Sequence, residues 1–247
     1  MTFGSLFAGI GGMDLGLERA GMECAWQVEI DPFCRKVLAK HWPDVPKYED
    51  VRDVGSENLE PVDLICGGFP CQDISYAGEG AGLAGERSGL WYEFARIIGE
   101  MGPRLVLVEN VPALLTRGLG DVLGTLADLG YDAEWSIVSA CSVGAPHMRR
   151  RVFVVAYPDS LDGWSGIRDP SARPDREIPE VHCKAGARSC FRARLANPSA
   201  LYGGANGLPS GMERNRGLGN AVVPQVAEWI GRRIMEADGE HLAQEGE

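Results

Sequence analysis

The 247-residue chain has no stretch approaching eighteen uninterrupted apolar residues, so no segment suits a hydrophobic membrane-spanning helix. Its opening, MTFGSLFAGIGG, lacks the basic start and continuous apolar core of a secretory signal. Cysteines are few and odd in number, seven in all with no Cys-x-x-Cys pair. That excludes a disulfide framework and fits a reduced, cytoplasmic setting. Positive charge is also short: 24 Lys and Arg against 35 Asp and Glu give −11. The deficit is uneven. Residues 145–216 hold twelve Arg and Lys against seven Asp and Glu, a local +5 that leaves −16 for the rest. Local sign governs binding to phosphate, so nucleic acid stays open, with one face making the contact.

What is present is ordinary for a globular enzyme: 45% apolar and 24% charged residues. The length suits one large domain with a small insert. Over the first 156 residues, short β-like runs alternate with helical patterns. Strands are expected at Thr2–Phe7, Ala25–Ile30, Val62–Cys66, Arg104–Val108, Tyr131–Ser139 and Arg151–Ala156. Helices are expected at Met13–Ala20, from Asp31-Pro32 towards Trp42, at Ser88–Met101 and at Leu119–Leu129. This alternation implies an α/β fold with a mostly parallel sheet flanked by helices. Residues 157–216 are rich in Pro, Gly, Ser, Arg and Asp, with no sustained period. They read as a small irregular region, with a faint echo between AYPDSLDG and ANPSALYG. A helical pattern resumes at Ala221–Met235, and the tail from Glu236 is expected to fray.

Four stretches carry chemistry. In LFAGIGGMDLGLERAG, a strand feeds Gly9, Gly11 and Gly12 and then a helix, which allows a ligand close to the backbone. Glu29, at the end of the next strand, suits ribose hydroxyls, and Asp50 before Val51 suits an adenine ring. The nicotinamide fingerprint fails because Asp14 stands where its third glycine belongs, and there is no P-loop lysine. A nucleoside ligand fits better than a dinucleotide, and a plain turn is the alternative. DLICGGFPCQDIS places Cys71 just past a strand, between glycines, a proline and polar residues. That is a rigid perch for a thiolate nucleophile, whereas Cys24, Cys34 and Cys141 read as small buried hydrophobes. VENVPALL ends an apolar strand on Glu109, a carboxyl either ion-paired or poised with a raised pKa. In GAPHMRRRVFVVA, Arg149 and Arg151 share a face and Arg150 points away. A solvated basic edge is the alternative there.

Together and in this order, the four stretches resemble the cytosine-5 DNA methyltransferase family over nearly all of residues 3–156 and again at 217–234. FAGIGG is similar to that family's S-adenosylmethionine loop, GGFPCQDIS to its Pro-Cys loop, ENV to its glutamate motif and Arg-x-Arg to its arginine motif. GLGNAVVPQVAEWIG resembles its last block, whose asparagine is here Asn220. The resemblance implies a Rossmann-like methyltransferase domain at 1–156 and 217–247, and a small target-recognition region at 157–216. It implies that Cys71 attacks cytosine C6, that Glu109 protonates or hydrogen-bonds N3, that Arg151 holds O2 and that Arg149 supports the cysteine loop. The target base would be flipped out of duplex DNA. S-adenosylmethionine would be held by Phe7, Ala8, Gly9, Gly11, Gly12, Glu29, Ile30, Asp50, Val51, Pro70, Leu90, Asn220 and Ala221, with no metal.

The chain departs from the family pattern at His147, where glutamine is usual, and at Arg150, where glutamate is common. The recognition region is short, and its usual arginine-rich closing consensus is not clear, LPSGMERNR being the stretch that resembles a remnant of it. Its arginines Arg168, Arg173, Arg176, Arg188, Arg192 and Arg194 suit phosphates or guanines. His182, Cys183 and Cys190 lack the second pair a zinc site needs. The expected setting is a monomer in the bacterial or phage-infected cytoplasm, associated with the nucleoid, without membrane contact and with a cognate restriction endonuclease as candidate partner. The rival readings are RNA cytosine methylation by the same machinery and a catalytically silent DNA-binding protein that keeps the fold.

Overall fold

A computed structural model of the chain describes residues 1–70, 89–145, 147–158 and 221–245, the last six as backbone only. The described strands are β1 (Thr2–Leu6), β2 (Glu23–Val28), β3 (Lys47–Tyr48), β4 (Leu64–Gly67), β5 (Leu105–Asn110), β6 (Tyr131–Ser139) and β7 (Arg150–Pro158). The described helices are α1 (Gly12–Arg19), α2 (Pro32–His41), α3 (Gly89–Met101), α4 (Leu114–Arg117), α5 (Leu119–Asp128) and α6 (Pro224–Glu245). The strands form one sheet in the order β3-β2-β1-β4-β5-β7-β6. Pairings among β1 to β5 are parallel, while β7 runs antiparallel to both β5 and β6. The expected α/β class and mostly parallel sheet are what the chain forms.

Alternation along the strands builds the layers. In β4 and β5, Ile65, Val106 and Val108 enter one apolar cluster with Trp91 and Phe94 of α3 and Leu126 of α5. Their neighbours Leu64, Cys66, Leu105 and Leu107 enter another, with Leu17 of α1, Leu38 of α2 and Ile230 of α6. Successive side chains on a strand face opposite ways, so helices cover both faces of the sheet. Strands buried on both sides explain the unbroken apolar runs LICG and LVLV.

Local chemistry sets the helix ends. Asp31 caps α2, its Oδ1 accepting from the N–H groups of Phe33 (2.8 Å) and Cys34 (3.3 Å), with Pro32 in the first turn. Helix α1 starts from Gly11 at φ +79°, a conformation that favours glycine. It lies close along α6: a Cβ on Gly16 would fall 2.4 Å from that of Ala227.

Some details differ from the sequence reading, among them the short helix α4 and the start of α6 at Pro224 rather than Ala221. Lys47–Tyr48 makes a two-residue parallel strand beside β2, too short to leave a periodic signal. The tail beyond Glu236 does not fray but continues α6 to Glu245. Its first turn is tied down by tertiary contacts: the nearly buried Asp238 pairs with Arg104, and Ala237 packs on the apolar cluster beneath. Of the other sequence expectations, residues 159–220 lie outside the described residues.

Candidate functional site

Four neighbouring parallel strands deliver the expected cofactor residues to one edge of the sheet, as carboxyl ends do in doubly wound folds. After β1 the chain turns through Phe7, Ala8 and Gly9. Phe7 adopts φ +54°, and its ring stands 6.3 Å from that of Phe94. The turn is closed by Ala8 N–H donating to Val28 O (3.1 Å) and Gly11 N–H donating to Ala8 O (2.9 Å). After β2, Glu29 bridges two backbone segments: Oε2 accepts from Gly9 N–H and Oε1 from Asp31 N–H, both at 2.7 Å. Each oxygen keeps a second lone pair for a ligand hydroxyl. Ile30 follows with 63% of its surface exposed, an apolar side chain left open beside the glycine turn.

After β3, Asp50 caps the turn Val51–Asp53 and binds Arg52 through Nε at 2.9 Å and Nη2 at 2.5 Å. The expected adenine contact therefore already has a cationic partner, which holds the Asp50 carboxyl below its ordinary pKa. Val51 is buried, and its carbonyl accepts from Arg96 of α3 (3.1 Å). Leu90, in the first turn of α3, packs on the same apolar cluster. Ala221 lies at the start of the returning segment, whose Val222 carbonyl sits 2.3 Å from where a Cβ on Gly12 would be. Asn220 lies outside the described residues.

Between β4 and β5 the GGFP segment is shaped residue by residue. A Cβ on Gly67 would meet Leu6 O at 2.4 Å, and one on Gly68 would meet Glu109 Oε2 at 2.6 Å. Space rather than dihedral freedom requires the glycine pair. Phe69 is buried with its ring 5.2 Å from Trp91, and its carbonyl accepts from Asn110 Nδ2 at 3.1 Å. Pro70 then emerges exposed at the sheet edge. Cys71, the next residue, lies outside the described residues.

Glu109 faces that exit from β5. It pairs across the sheet with Phe153, two residues from Arg151 on β7, so Glu109 and Arg151 project from the same face. Arg151 Nε stands 2.9 Å from Glu109 Oε1 as an ion pair, although its N–H is not aligned for a hydrogen bond. Burial pushes the Glu109 carboxyl up to about 6, against the pull of Arg151 and Arg149. Burial and the neighbouring Arg151 in turn lower Arg149, whose Nε and Nη2 are buried without a hydrogen-bond partner. Arg150 points outward and is exposed, as the two-residue period requires. Arg149 and Arg151 are thus brought to Glu109 from 40 and 42 positions away in sequence. A cavity of about 870 Å³ runs from Gly11 and Gly12 past Ala221 to Arg149 and Arg151, joining the glycine turn to the arginine pair.

Asn110 was not singled out in the sequence, although it sits within ENV. Its contact crosses between strands, and no local pattern marks such a contact. Among the described residues no group of three or more His, Cys, Asp or Glu is placed to hold a metal ion. No described helix is long and apolar enough to cross a membrane.

The seven-stranded sheet, with its glycine turn and antiparallel β7, is the Rossmann-like fold of S-adenosylmethionine-dependent DNA methyltransferases. The C-5 cytosine-specific DNA methylase family model matches residues 1–182, and the chain belongs to that family. The type II methyltransferase M2.BsuMI of Bacillus subtilis strain 168 is 37% identical, covering 98% of this chain and 77% of that protein. That comparison runs over 309 positions, 62 more than the 247 residues here, so the relative carries residues without a counterpart in this chain. M.Eco47II of Escherichia coli is 40% identical over 68% of this chain and 42% of its own length. M.BsuFI of Bacillus subtilis is 32% identical over 72% and 44%. The chain spans about half the length of most of these relatives. A solved Escherichia coli prophage protein, described as a DNA modification methyltransferase, superposes with a TM-score of 0.56 at 31% identity, covering 65% of this chain and 47% of that one. The DNMT2 of Spodoptera frugiperda shares the fold at TM-score 0.54 and 21% identity, over 68% and 53%.

Proposed function

We propose that this protein transfers a methyl group from S-adenosylmethionine to C5 of cytosine in duplex DNA, through a covalent bond between Cys71 and C6 of a flipped-out base. The observation that carries the reading is the buried Glu109 carboxyl, pushed up to about 6 and flanked by Arg149 and Arg151, directly behind the segment that leads to Cys71. Family membership supports the chemistry and the type II relatives support the substrate.

The residues at the strand ends fit S-adenosylmethionine. The open glycine turn admits a ligand, Glu29 has lone pairs to spare and the exposed Ile30 offers an apolar face. Bound there, the cofactor supplies an electrophilic methyl group. C5 of cytosine is a weak nucleophile, and the chain's residues raise its reactivity. The Cys71 thiolate adds to C6, and the electron density displaced into the ring is met at N3 by the Glu109 proton. A carboxyl with a pKa near 6 is suited to hold and give that proton near neutral pH. Arg151 neutralises the Glu109 carboxylate once the proton has left and holds the base at O2. Arg149, whose Nε and Nη2 have no hydrogen-bond partner, would brace the Cys71 loop. After methylation, loss of the C5 proton to water restores the C5–C6 double bond and expels the Cys71 thiolate, while N3 returns its proton to Glu109.

Residues 157–216 would supply target recognition, the protein would work as a monomer in the cytoplasm, and a restriction endonuclease is its proposed companion. Incubation of duplex DNA and RNA oligonucleotides side by side with tritiated S-adenosylmethionine tests the substrate. Label in DNA is expected, while label in RNA alone assigns the machinery to RNA. Label in neither supports the silent, DNA-binding reading.

A further inference from the structure

Consecutive residues of β5 hold consecutive residues of the segment that enters Cys71. Glu109 fills the space that Gly68 leaves by lacking a side chain, with Oε2 2.6 Å from a Cβ built there. Asn110, 3% exposed, donates from Nδ2 to the carbonyl of Phe69 at 3.1 Å while its Oδ1 accepts from Val111 N–H at 2.9 Å. Both sides of the Asn110 amide are therefore engaged, one within its own turn and one across to the neighbouring segment. Pro70 has no N–H and a fixed φ, so the orientation of the Phe69 carbonyl largely sets the direction in which the chain leaves towards Cys71. The Phe69 ring on Trp91 holds the segment down but leaves rotation of the peptide plane to the amide.

We propose that Asn110 is a positioning residue: by fixing the Phe69 carbonyl it aims the Cys71 thiol at the point that Glu109 serves, so nucleophile and proton donor are set from one strand end. This rests on the assignment of Cys71 and Glu109 as the catalytic pair. A displacement of about 1 Å in a nucleophile costs on the order of 10²-fold in rate, and the Phe69 carbonyl that Asn110 holds is only two residues before Cys71.

The test uses duplex DNA carrying 5-fluorocytosine, on which the C5 substituent cannot leave as a proton and the Cys71 bond stays trapped. Asn110→Asp keeps size and the Val111 contact but loses the donor, while Asn110→Ala loses both without adding charge. Both are expected to form the adduct at least about tenfold more slowly at saturating DNA and cofactor, with the KM for S-adenosylmethionine within about twofold and, although loss of a buried amide lowers the melting temperature, with the protein still folded at the assay temperature. Adduct formation at the wild-type rate in either folded variant overturns the proposal. So does a loss confined to melting temperature and KM, which marks a purely structural amide. Failure of the wild-type protein to form any adduct sinks the underlying catalytic reading instead, and the two failures are told apart by that control.

Discussion

Asp14 and Glu109 are both buried carboxyl groups, and both have raised pKa values for the same first reason, loss of water. Asp14 is wholly buried in the first turn of α1, and its carboxyl is pushed up to about 7. It has no cation beside it: its hydrogen-bond partners are the neutral Ser5 and Gln27, whose Nε2 donates to Oδ2 at 3.3 Å, and the nearby Glu18 and Glu29 push its pKa further up. Asp14 Oδ1 and Gln27 Oε1 are left without hydrogen-bond partners, an arrangement of acceptors that a proton on Asp14 relieves. Glu109 keeps 7% of its surface and has two arginines against it, which hold it near 6. Burial alone makes an inert acid sealed under a helix. Burial with cations at a strand's open end makes an acid whose proton can leave and whose anion has somewhere to pair.

The contrast gives five expectations. Glu109→Gln keeps the shape but has no proton to give, so kcat should fall on the order of 10²–10⁴-fold, read by tritium transfer to DNA. In the wild-type protein, kcat/KM should decline as pH rises above about 6, because the protonated acid is the active form. Arg151→Ala should cost roughly 10²-fold. It should also move that declining limb to higher pH, since Arg151 lowers the Glu109 pKa; a limb that stays in place severs the two groups. Gly68→Ala puts a methyl group 2.6 Å from Glu109 Oε2 and should slow turnover about tenfold to 10²-fold, with cofactor affinity unchanged by equilibrium dialysis.

Asp14→Asn should leave turnover near wild type and act on stability alone. The folded state holds the Asp14 proton more tightly than the unfolded chain. Wild-type stability is therefore fullest below about 4 and is lost as pH rises to about 7. At about 1.4 kcal/mol per pH unit the loss reaches roughly 4 kcal/mol at most, and urea midpoints across that range should flatten in the variant. A turnover loss as large as that of Glu109→Gln would erase the distinction between the two acids.

Much of this was legible in the sequence because it is local. Asp31-Pro32 announced the start of α2, the unbroken LVLV run announced a strand buried on both faces, and the two-residue spacing of Arg149 and Arg151 placed them on one face. Contacts that depend on register across the sheet were not legible. Glu109 meets Arg151 only because β7 runs antiparallel beside β5, and the Asn110–Phe69 bond exists only because β4 and β5 are neighbours. The same limit hid the end of α6, whose polar tail is held by Arg104, 134 residues away in sequence. The GGFPC stretch suggested a rigid loop, and the structure adds the reason for each glycine: Leu6 stands against one and Glu109 against the other.

Everything proposed for this site turns on a covalent bond from Cys71 to cytosine, formed beside Glu109. Its most direct test is denaturing electrophoresis and intact-mass analysis of the protein after incubation with S-adenosylmethionine and 5-fluorocytosine duplexes of several sequences. A stable protein–DNA adduct bearing the transferred methyl group is expected with the wild-type chain, and none with Cys71→Ser. No adduct from the wild-type protein on any duplex, or an equal adduct from Cys71→Ser, contradicts it.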